Sequence, residues 1–446
     1  MDFRQFYMAE ADVSKDTLQK ILNAIKTNGG EIFVVGGPVR DLVLGHDPKD
    51  IDFMVRKLQL AEIAEITGQI GKAKEIKNKF GDNFGKKFGI VKAVIDGHDF
   101  DFAIPRPKET KTGDLHTDFD PEVDPSAEVE DDLGRRDFTW NAMAVPLDIF
   151  IAAKQSDNPA KAIKTFLSDP NNKQKYDPYN GLEALEKGEL QAVGDPASRF
   201  REDPLRILRA IQFATRMGFD IKGETFDAIV DLKDSLKTVS NERIGEEFRK
   251  AWTKGKADTK VMIGLLKQTG IGESLFGSDF NPLVIPNTGE SNERVLSNFI
   301  AFFLEGGDYK AMDPTKDMEK ILSVSQALVI TKDAQYPPFE IVAKAKNVYD
   351  WIPVLHRTFG YIDDKVAENI RKIAKTPVSI NDLDINGNEI MNVLQAELNI
   401  PKATVGPIIG KVVTHLLKAV WDGNLENKKE ELENEVAYRG QAGDFS

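Results

Sequence analysis

Residues 31–56, EIFVVGGPVRDLVLGHDPKDIDFMVR, constrain the fold more than any other stretch. EIFVV reads as a buried strand that enters a glycine turn. PVRDLVLG reads as a short helix, with Pro38 near its first turn and Gly45 ending it. DIDFMV is the next strand. Downstream, residues 88–104, FGIVKAVIDGHDFDFAI, alternate about Asp96-Gly97, a strong signal for a two-residue hairpin turn. Upstream, residues 14–28 read as an amphipathic helix with Ser14 as N-cap. These elements give a small N-terminal α/β domain.

The same segment carries unusual chemistry. Asp50 and Asp52 are two apart on the expected strand, so both side chains point to one face. Two such charges repel unless a cation lies between them. Magnesium is held through one or two carboxylates plus substrate phosphates, and paired ions serve phosphoryl and nucleotidyl transfer. A solvated strand end explains D-x-D equally well when it stands alone. Gly36-Gly37 lets the backbone approach a phosphate, or simply makes a tight strand–helix turn. No G-x-x-x-x-G-K-[ST] occurs, so this is not a P-loop. A third acid is expected from a neighbouring strand. Asp101 alternates with Phe100 and Phe102 and points away from the apolar face, and Asp99 shares its side.

The 446 residues are enough for about two to four domains. There is no cysteine, which excludes disulfides, Cys-ligated zinc and thiol catalysis and fits a reducing compartment. The N-terminus mixes acids and bases from the start, unlike a secretory signal. No run nears the ~18–20 apolar residues of a membrane span, and a cytoplasmic protein without membrane association is expected. The net charge of -13 argues against nonspecific nucleic-acid binding but permits a local basic strip. Residues 113–134 hold part of the acidic excess, contain no Lys or Arg, and read as a loop. From about residue 180 the periodicity is helical. Leu205, Leu208, Ile211 and Ala214 mark one helix face, and Ser240 caps a helix carrying Glu242. Residues 256–350 contain helical pieces but no recognisable chemistry.

Taken in order, these residues resemble the class II nucleotidyltransferases, the family of tRNA nucleotidyltransferases and bacterial poly(A) polymerases. Its first motif, G-G-x-V-R-D followed by D-x-D, stands here as Gly36-Gly37-Pro38-Val39-Arg40-Asp41 and Asp50-Ile51-Asp52. Its third acid is usually Glu, five residues before an Arg. Here Asp101 precedes Arg106 by that spacing, a shorter acid. RRDFTWNAMA, residues 135–144, is similar to the motif that contacts triphosphate and ribose. REDPLRILRAIQFATRMGF, residues 201–219, is similar to the E-D-x-x-R nucleobase motif. SNERIGEEFRK resembles the next motif, whose Glu242 and Arg243 brace the nucleobase helix. Residues 381–432 resemble the tail that holds tRNA, although the turn NIPKATVGPIIG departs from the usual P-G-P-x-V-G.

The resemblance implies an α+β fold. A polymerase-beta-like catalytic head (1–150), with a mixed sheet and helices, precedes elongated all-α neck (175–255), body (256–350) and tail (351–446) domains. It implies magnesium on Asp50 and Asp52, and Asp101 as a third catalytic acid. Gly36, Gly37, Arg40, Arg136, Asp137, Asn141, Glu202, Asp203, Arg206 and Arg209 become nucleotide-binding residues. Two of these have local alternatives. Arg135 and Arg136 suit phosphate oxygens but also neutralise the adjacent acidic stretch. Asp203 and Arg206, three apart, can read a base edge, but Asp203-Pro204 is also a good helix start. Some family members carry a phosphohydrolase domain with His-Asp pairs, and the C-terminal half here has none.

The expected activity is template-independent addition of CCA to tRNA 3′ ends from CTP and ATP. One rival is a poly(A) polymerase, favoured by Lys86-Lys87-Phe88, or an enzyme adding only CC or only A. The other is a non-catalytic RNA-binding scaffold. Basic residues available to tRNA are Lys79, Lys86, Lys87, Arg199, Arg201, Arg209 and the tail lysines.

Overall fold

The computed structural model describes residues 13–48, 50–74, 89–106, 108–111, 119–253, 258–286, 291–330, 380–398 and 402–442, with a few positions between 354 and 366. Lys79, Lys86, Lys87 and Phe88 lie outside the described residues. The chain divides into two compact units. The first is 1–240 with 269–271, and the second is 241–268 with 272–446.

The first unit begins with α1 (Lys15–Thr27), capped by the Ser14 hydroxyl, which accepts from the Thr17 amide. Strand β1 (Glu31–Val35), helix α2 (Gly37–Val43) and strand β2 (Asp52–Arg56) follow as the sequence pattern requires. Helix α3 (Leu60–Ile70) leads to β3 (Lys72–Lys74), β4 (Ile90–Ile95) and β5 (His98–Ala103). The β4–β5 turn has Asp96 and Gly97 both at positive φ, as a hairpin matching the right-handed strand twist requires. Strands β6 (Lys108–Lys111) and β7 (Phe119–Glu122) form a separate pair, helix α4 spans Val129–Leu133, and β8 spans Ala144–Pro146.

The main sheet has the order β3-β4-β5-β2-β1-β8. Only β2–β5 is parallel, so the sheet is mixed. One face carries Phe53, Phe100 and Phe102, all buried. On the other face Met54 is buried in a cluster with Val129, Leu133 and Val193. Asp52, one pleat earlier on that same side, stays exposed at the strand's start.

Helices α5 (Leu147–Lys154), α6 (Pro159–Ser168), α7 (Pro170–Tyr176) and α8 (Gly181–Lys187) follow the sheet. Strand β9 (Glu189–Leu190), α9 (Pro196–Glu202), α10 (Leu205–Met217), β10 (Asp220–Ile221) and α11 (Gly223–Leu232) complete the unit. Leu205, Leu208, Ile211 and Ala214 are all buried on α10.

In the second unit an aromatic core gathers Phe248, Trp252, Phe276 and Phe302. Another core joins helices 291–303, 316–330, 387–398, 402–421 and 429–441 around Ile300, Ile321, Leu394, Leu416 and Trp421. No described helix is long and apolar enough to cross a membrane.

Four local expectations are corrected. Strand β2 starts at Asp52, so Asp50 lies in the preceding turn. The run of helices that follows the sheet begins at Leu147, well before residue 180. The acidic stretch is not simply a loop, since it contains β7 and α4. The charges mask the pattern that buries Val129 and Leu133 beside Met54. Finally, the helix from Lys402 to Trp421 runs through Gly406 and Pro407. Ile408, Ile409, Val412 and Leu416 pack on the core, and tertiary burial outweighs the local breakers.

Candidate active site

Asp52 faces Asp101 across the parallel β2–β5 ladder. Asp101 in turn faces Lys92 across the antiparallel β5–β4 ladder. Opposed residues in a ladder share a face, so Asp52, Asp101 and Lys92 form one row across three strands. Lys92 Nζ lies 2.8 Å from Asp101 Oδ2. Phe53, Phe100 and Phe102 back the row from the other face, with ring centroids 5.6 and 5.1 Å from Phe53. Asp99 instead faces Val94, further from Asp52.

The Asp52 carboxyl is held above its ordinary value. Enclosure by surrounding protein raises it most, and Asp101 and Asp50 raise it further against the pull of Arg136 and Lys92. Asp52 still reaches solvent, so the like-charge part of this push is open to relief by a cation. Among the described residues no three Asp, Glu, His or Cys side chains converge as a ready-made metal cage. Two carboxylates, Asp50 and Asp52, do fit a hard divalent cation that keeps positions for water and phosphate.

Arg136 borders this pair of acids. Its Nη2 lies 3.1 Å from Asp132 Oδ2, while Arg135 Nη2 lies 2.8 Å from Asp132 Oδ1. Asp132 is buried and also accepts from the Arg106 amide. Burial opposes its ionisation, but the two guanidiniums outweigh burial and hold it far below the usual carboxylate range. The arginine pair therefore does neutralise an acid of residues 113–134, and that anchor places Arg136 against the glycine turn. A Cβ on Gly36 would stand 2.6 Å from Arg136 Nη1. Gly36 also has φ +73°, so the backbone favours glycine there, and any side chain would displace the Arg136 fork.

A second network runs inward. Arg40 Nε donates to Asp41 (2.7 Å) and Nη1 to Asn141 Oδ1 (3.0 Å). Its guanidinium lies 5.5 Å from the ring centroids of both Trp140 and Phe213. Asn141 Nδ2 donates to Asp137 Oδ1 (3.0 Å), and Arg209 Nε and Nη2 close on Asp137 Oδ2 at 2.9 and 2.6 Å. A continuous chain, Arg40–Asn141–Asp137–Arg209, thus joins the glycine-turn helix to α10. Arg40, Asp137 and Asn141 are all buried.

Glu202, Asp203 and Arg206 sit at the α9–α10 break. Arg206 Nη1 donates to Glu202 (2.7 Å) and the Arg199 carbonyl (3.2 Å), and Nη2 to the Arg135 carbonyl (3.0 Å). Asp203 Oδ1 accepts from the Leu205 amide at 3.1 Å, the helix-start geometry that Asp-Pro favours. Arg206 is therefore paired with Glu202, four residues back across the helix break, rather than with Asp203. Arg199 and Arg201 also lie on α9, Arg199 paired with Glu202 and Arg201 exposed.

Three contributors escaped the sequence reading. Asp132 was signalled by its spacing, three and four residues before Arg135 and Arg136. Lys92 was signalled by the hairpin turn, which fixes its register opposite Asp101. The Trp140–Phe213 clasp on Arg40 had no local signal, because it joins residues far apart in the chain.

The comparisons agree with this layout. The family model described as the poly A polymerase head domain matches residues 32–191, and that of the probable RNA- and SrmB-binding site of polymerase A matches residues 218–281. A CCA-adding enzyme of Streptococcus mutans is 27% identical over 435 residues, covering 92% of this chain and 94% of that protein. A CCA-adding enzyme of a Geobacillus species is 26% identical over 457 residues, covering 95% and 98%. Among solved structures, the Bacillus stearothermophilus CCA-adding enzyme in complex with CTP matches with a TM-score of 0.63 at 20% identity, covering 96% and 98%. The Thermotoga maritima CCA-adding enzyme complexed with tRNA gives 0.61 at 21% identity, covering 96% of each chain. With its two family models spanning half of its length in the expected order, the chain belongs to the tRNA nucleotidyltransferase/poly(A) polymerase family.

Proposed function

We propose that this chain is a CCA-adding tRNA nucleotidyltransferase. The observation that carries the reading is the Asp52–Asp101 register beside Arg136, in the same compact unit as the Glu202–Arg206 motif. The relatives named above as CCA-adding enzymes support it.

In the reaction the tRNA 3′-oxygen bonds to the α-phosphorus of CTP or ATP. The α-phosphorus–oxygen bond to the β-phosphate breaks, pyrophosphate leaves with the electron pair, and the hydroxyl proton passes to solvent. The family implies a divalent metal, and we assign magnesium to Asp50 and Asp52. Bound there, it supplies neutralisation of the triphosphate and a lowered pKa for the attacking hydroxyl. Asp101 orients the attacking end. Arg136 holds triphosphate oxygens, steadied by Asp132. Asp137 and Asn141 form the floor beneath ribose, tied to Arg40 and Arg209. Arg206, fixed by three acceptors, presents a rigid fork to the base edge, and Glu202 and Asp203 supply the acceptors that complement cytosine or adenine. We assign the head to 1–150, the neck to 175–255, the body to 256–350 and the tRNA-holding tail to 351–446, acting in the cytoplasm.

The test is incorporation of labelled CTP and ATP into tRNA ending before CCA, with magnesium, by wild type and an Asp50→Ala/Asp52→Ala double variant. Two C and one A, lost in the variant, is the expected result. An A-only ladder moves the reading to a poly(A) or A-adding enzyme. Tight tRNA binding without incorporation leaves an inactive scaffold.

A further inference from the structure

Lys92 is the fourth charged side chain at the row of acids, and no part of the reaction above uses it. The hairpin turn at Asp96-Gly97 sets it directly opposite Asp101, on the face shared with Asp52. Its ammonium lies 2.8 Å from Asp101 Oδ2, and both side chains remain partly open to solvent. An ammonium is a compact point charge on a flexible stem. Placed on the third acid, it satisfies the carboxylate that would otherwise turn to a cation shared with Asp52. This agrees with the finding that, among the described residues, three acids do not converge into a metal cage.

We propose that Lys92 is a positioning residue that restrains metal loading. By holding Asp101 toward β4, it leaves Asp50 and Asp52 as the only carboxylates on the divalent cation before substrate arrives. This rests on the reading of Asp50 and Asp52 as metal ligands. A lysine in this place makes the site bind free cation weakly and bind it well only when triphosphate phosphates complete the shell. It also keeps Asp101 available for the attacking end of the RNA.

The test is Mn²⁺ binding to the full-length protein without nucleotide or RNA, read by electron paramagnetic resonance of free Mn²⁺. Lys92→Met should bind Mn²⁺ about three- to tenfold more tightly than wild type, the range of a partly exposed charge interaction. Lys92→Arg should keep wild-type affinity, because its fork still reaches Asp101. The double variant Lys92→Met/Asp101→Asn should lose most of the gain, since the pair acts as a unit. A gain that persists in the double variant overturns the proposal, because Lys92 would then act only as a nearby charge. Unchanged affinity in Lys92→Met overturns it too. Asp50→Asn/Asp52→Asn tests the underlying reading separately. If that variant binds Mn²⁺ as wild type does, the metal assignment falls, and the inference falls with it. If it loses binding while Lys92→Met is unchanged, only the inference falls.

Discussion

Arg209 closes on Asp137 through both Nε and Nη2, at 2.9 and 2.6 Å from the same carboxylate oxygen. The two residues are 72 positions apart, so the contact ties the R-R-D motif to helix α10. Burial alone would raise the Asp137 carboxyl, but Arg209, with Asn141 and the Phe138 amide, holds it below the ordinary value. Arg209→Ala should therefore strand a buried charge. The expected cost is about 1–3 kcal/mol, below the full value for a buried pair because Arg209 is partly exposed. Asp137→Asn/Arg209→Ala should cost less than the sum of the single changes. Denaturant midpoints would show this, and an Arg209→Ala protein indistinguishable from wild type would sink the argument.

The buried acids give pH dependences of opposite sign. Asp132 and Asp137 are depressed by their arginines. Their contribution is full above the unfolded carboxylate pKa of about 4 and is lost as pH falls through their lower folded values. Asp177 is the reverse case. Burial pushes it up to about 6, although the Gly181 and Leu182 amides donate to it. Its protonation favours the folded chain, so this contribution fades as pH rises from about 4 to about 6. Relative to Asp177→Asn, wild type should gain about 2–3 kcal/mol of stability between pH 7 and 4. Relative to Asp132→Asn, it should lose stability as pH drops below 4. Unfolding midpoints across that range check both slopes, and parallel curves for wild type and Asp177→Asn would overturn the Asp177 assignment.

Much of this was legible in the chain, and the misses share a cause. Strands β1 and β2, the Asp96-Gly97 hairpin and helix α10 follow from periodicity and turn chemistry, which are local. The pairing of Asp52 with Asp101 was half legible. Alternation gave the face, but only the sheet order makes β2 and β5 neighbours. The motif names Arg40, but its packing against Trp140 and Phe213, distant in sequence, has no local signal. Spacing alone puts Arg206 on the same side as Asp203. The break in the chain at Asp203-Pro204 spends the Asp203 oxygen on an amide and leaves Arg206 to Glu202. Helix α4 is hidden because four acids among the six residues 128–133 obscure the two apolar side chains, Val129 and Leu133, that it buries.

The two glycines of the turn should respond differently to one methyl group. At Gly36 a Cβ meets Arg136 Nη1 at 2.6 Å and the backbone is left-handed. Gly36→Ala should cost about 1–3 kcal/mol of stability. It should also weaken CTP and ATP binding by displacing Arg136. At Gly37 the nearest atom, Arg40 Nη2, would be 3.6 Å away, an ordinary contact. Gly37→Ala should melt within a degree or two of wild type and keep most nucleotide affinity. Equal nucleotide affinities for the two variants would contradict the role given to Arg136.

Arg206 is the strictest test of a protein acting as its own template. Its guanidinium is held by the Glu202 carboxylate and by the carbonyls of Arg199 and Arg135, so its orientation is set before a nucleotide arrives. A good bidentate contact to a base discriminates by about 1–3 kcal/mol, roughly ten- to a hundredfold. Arg206→Ala should therefore lose that much preference for C and A over U and G, while Mn²⁺ binding at Asp50 and Asp52 stays unchanged. Arg206→Lys should not restore the preference, because one ammonium cannot satisfy three acceptors in the fork's plane and still face a base. Glu202→Gln keeps an acceptor and should lose less. Competition assays with all four nucleoside triphosphates separate the cases. If Arg206→Ala slows every nucleotide equally, Arg206 is a brace between the Arg135 carbonyl and α10, and base choice must lie elsewhere.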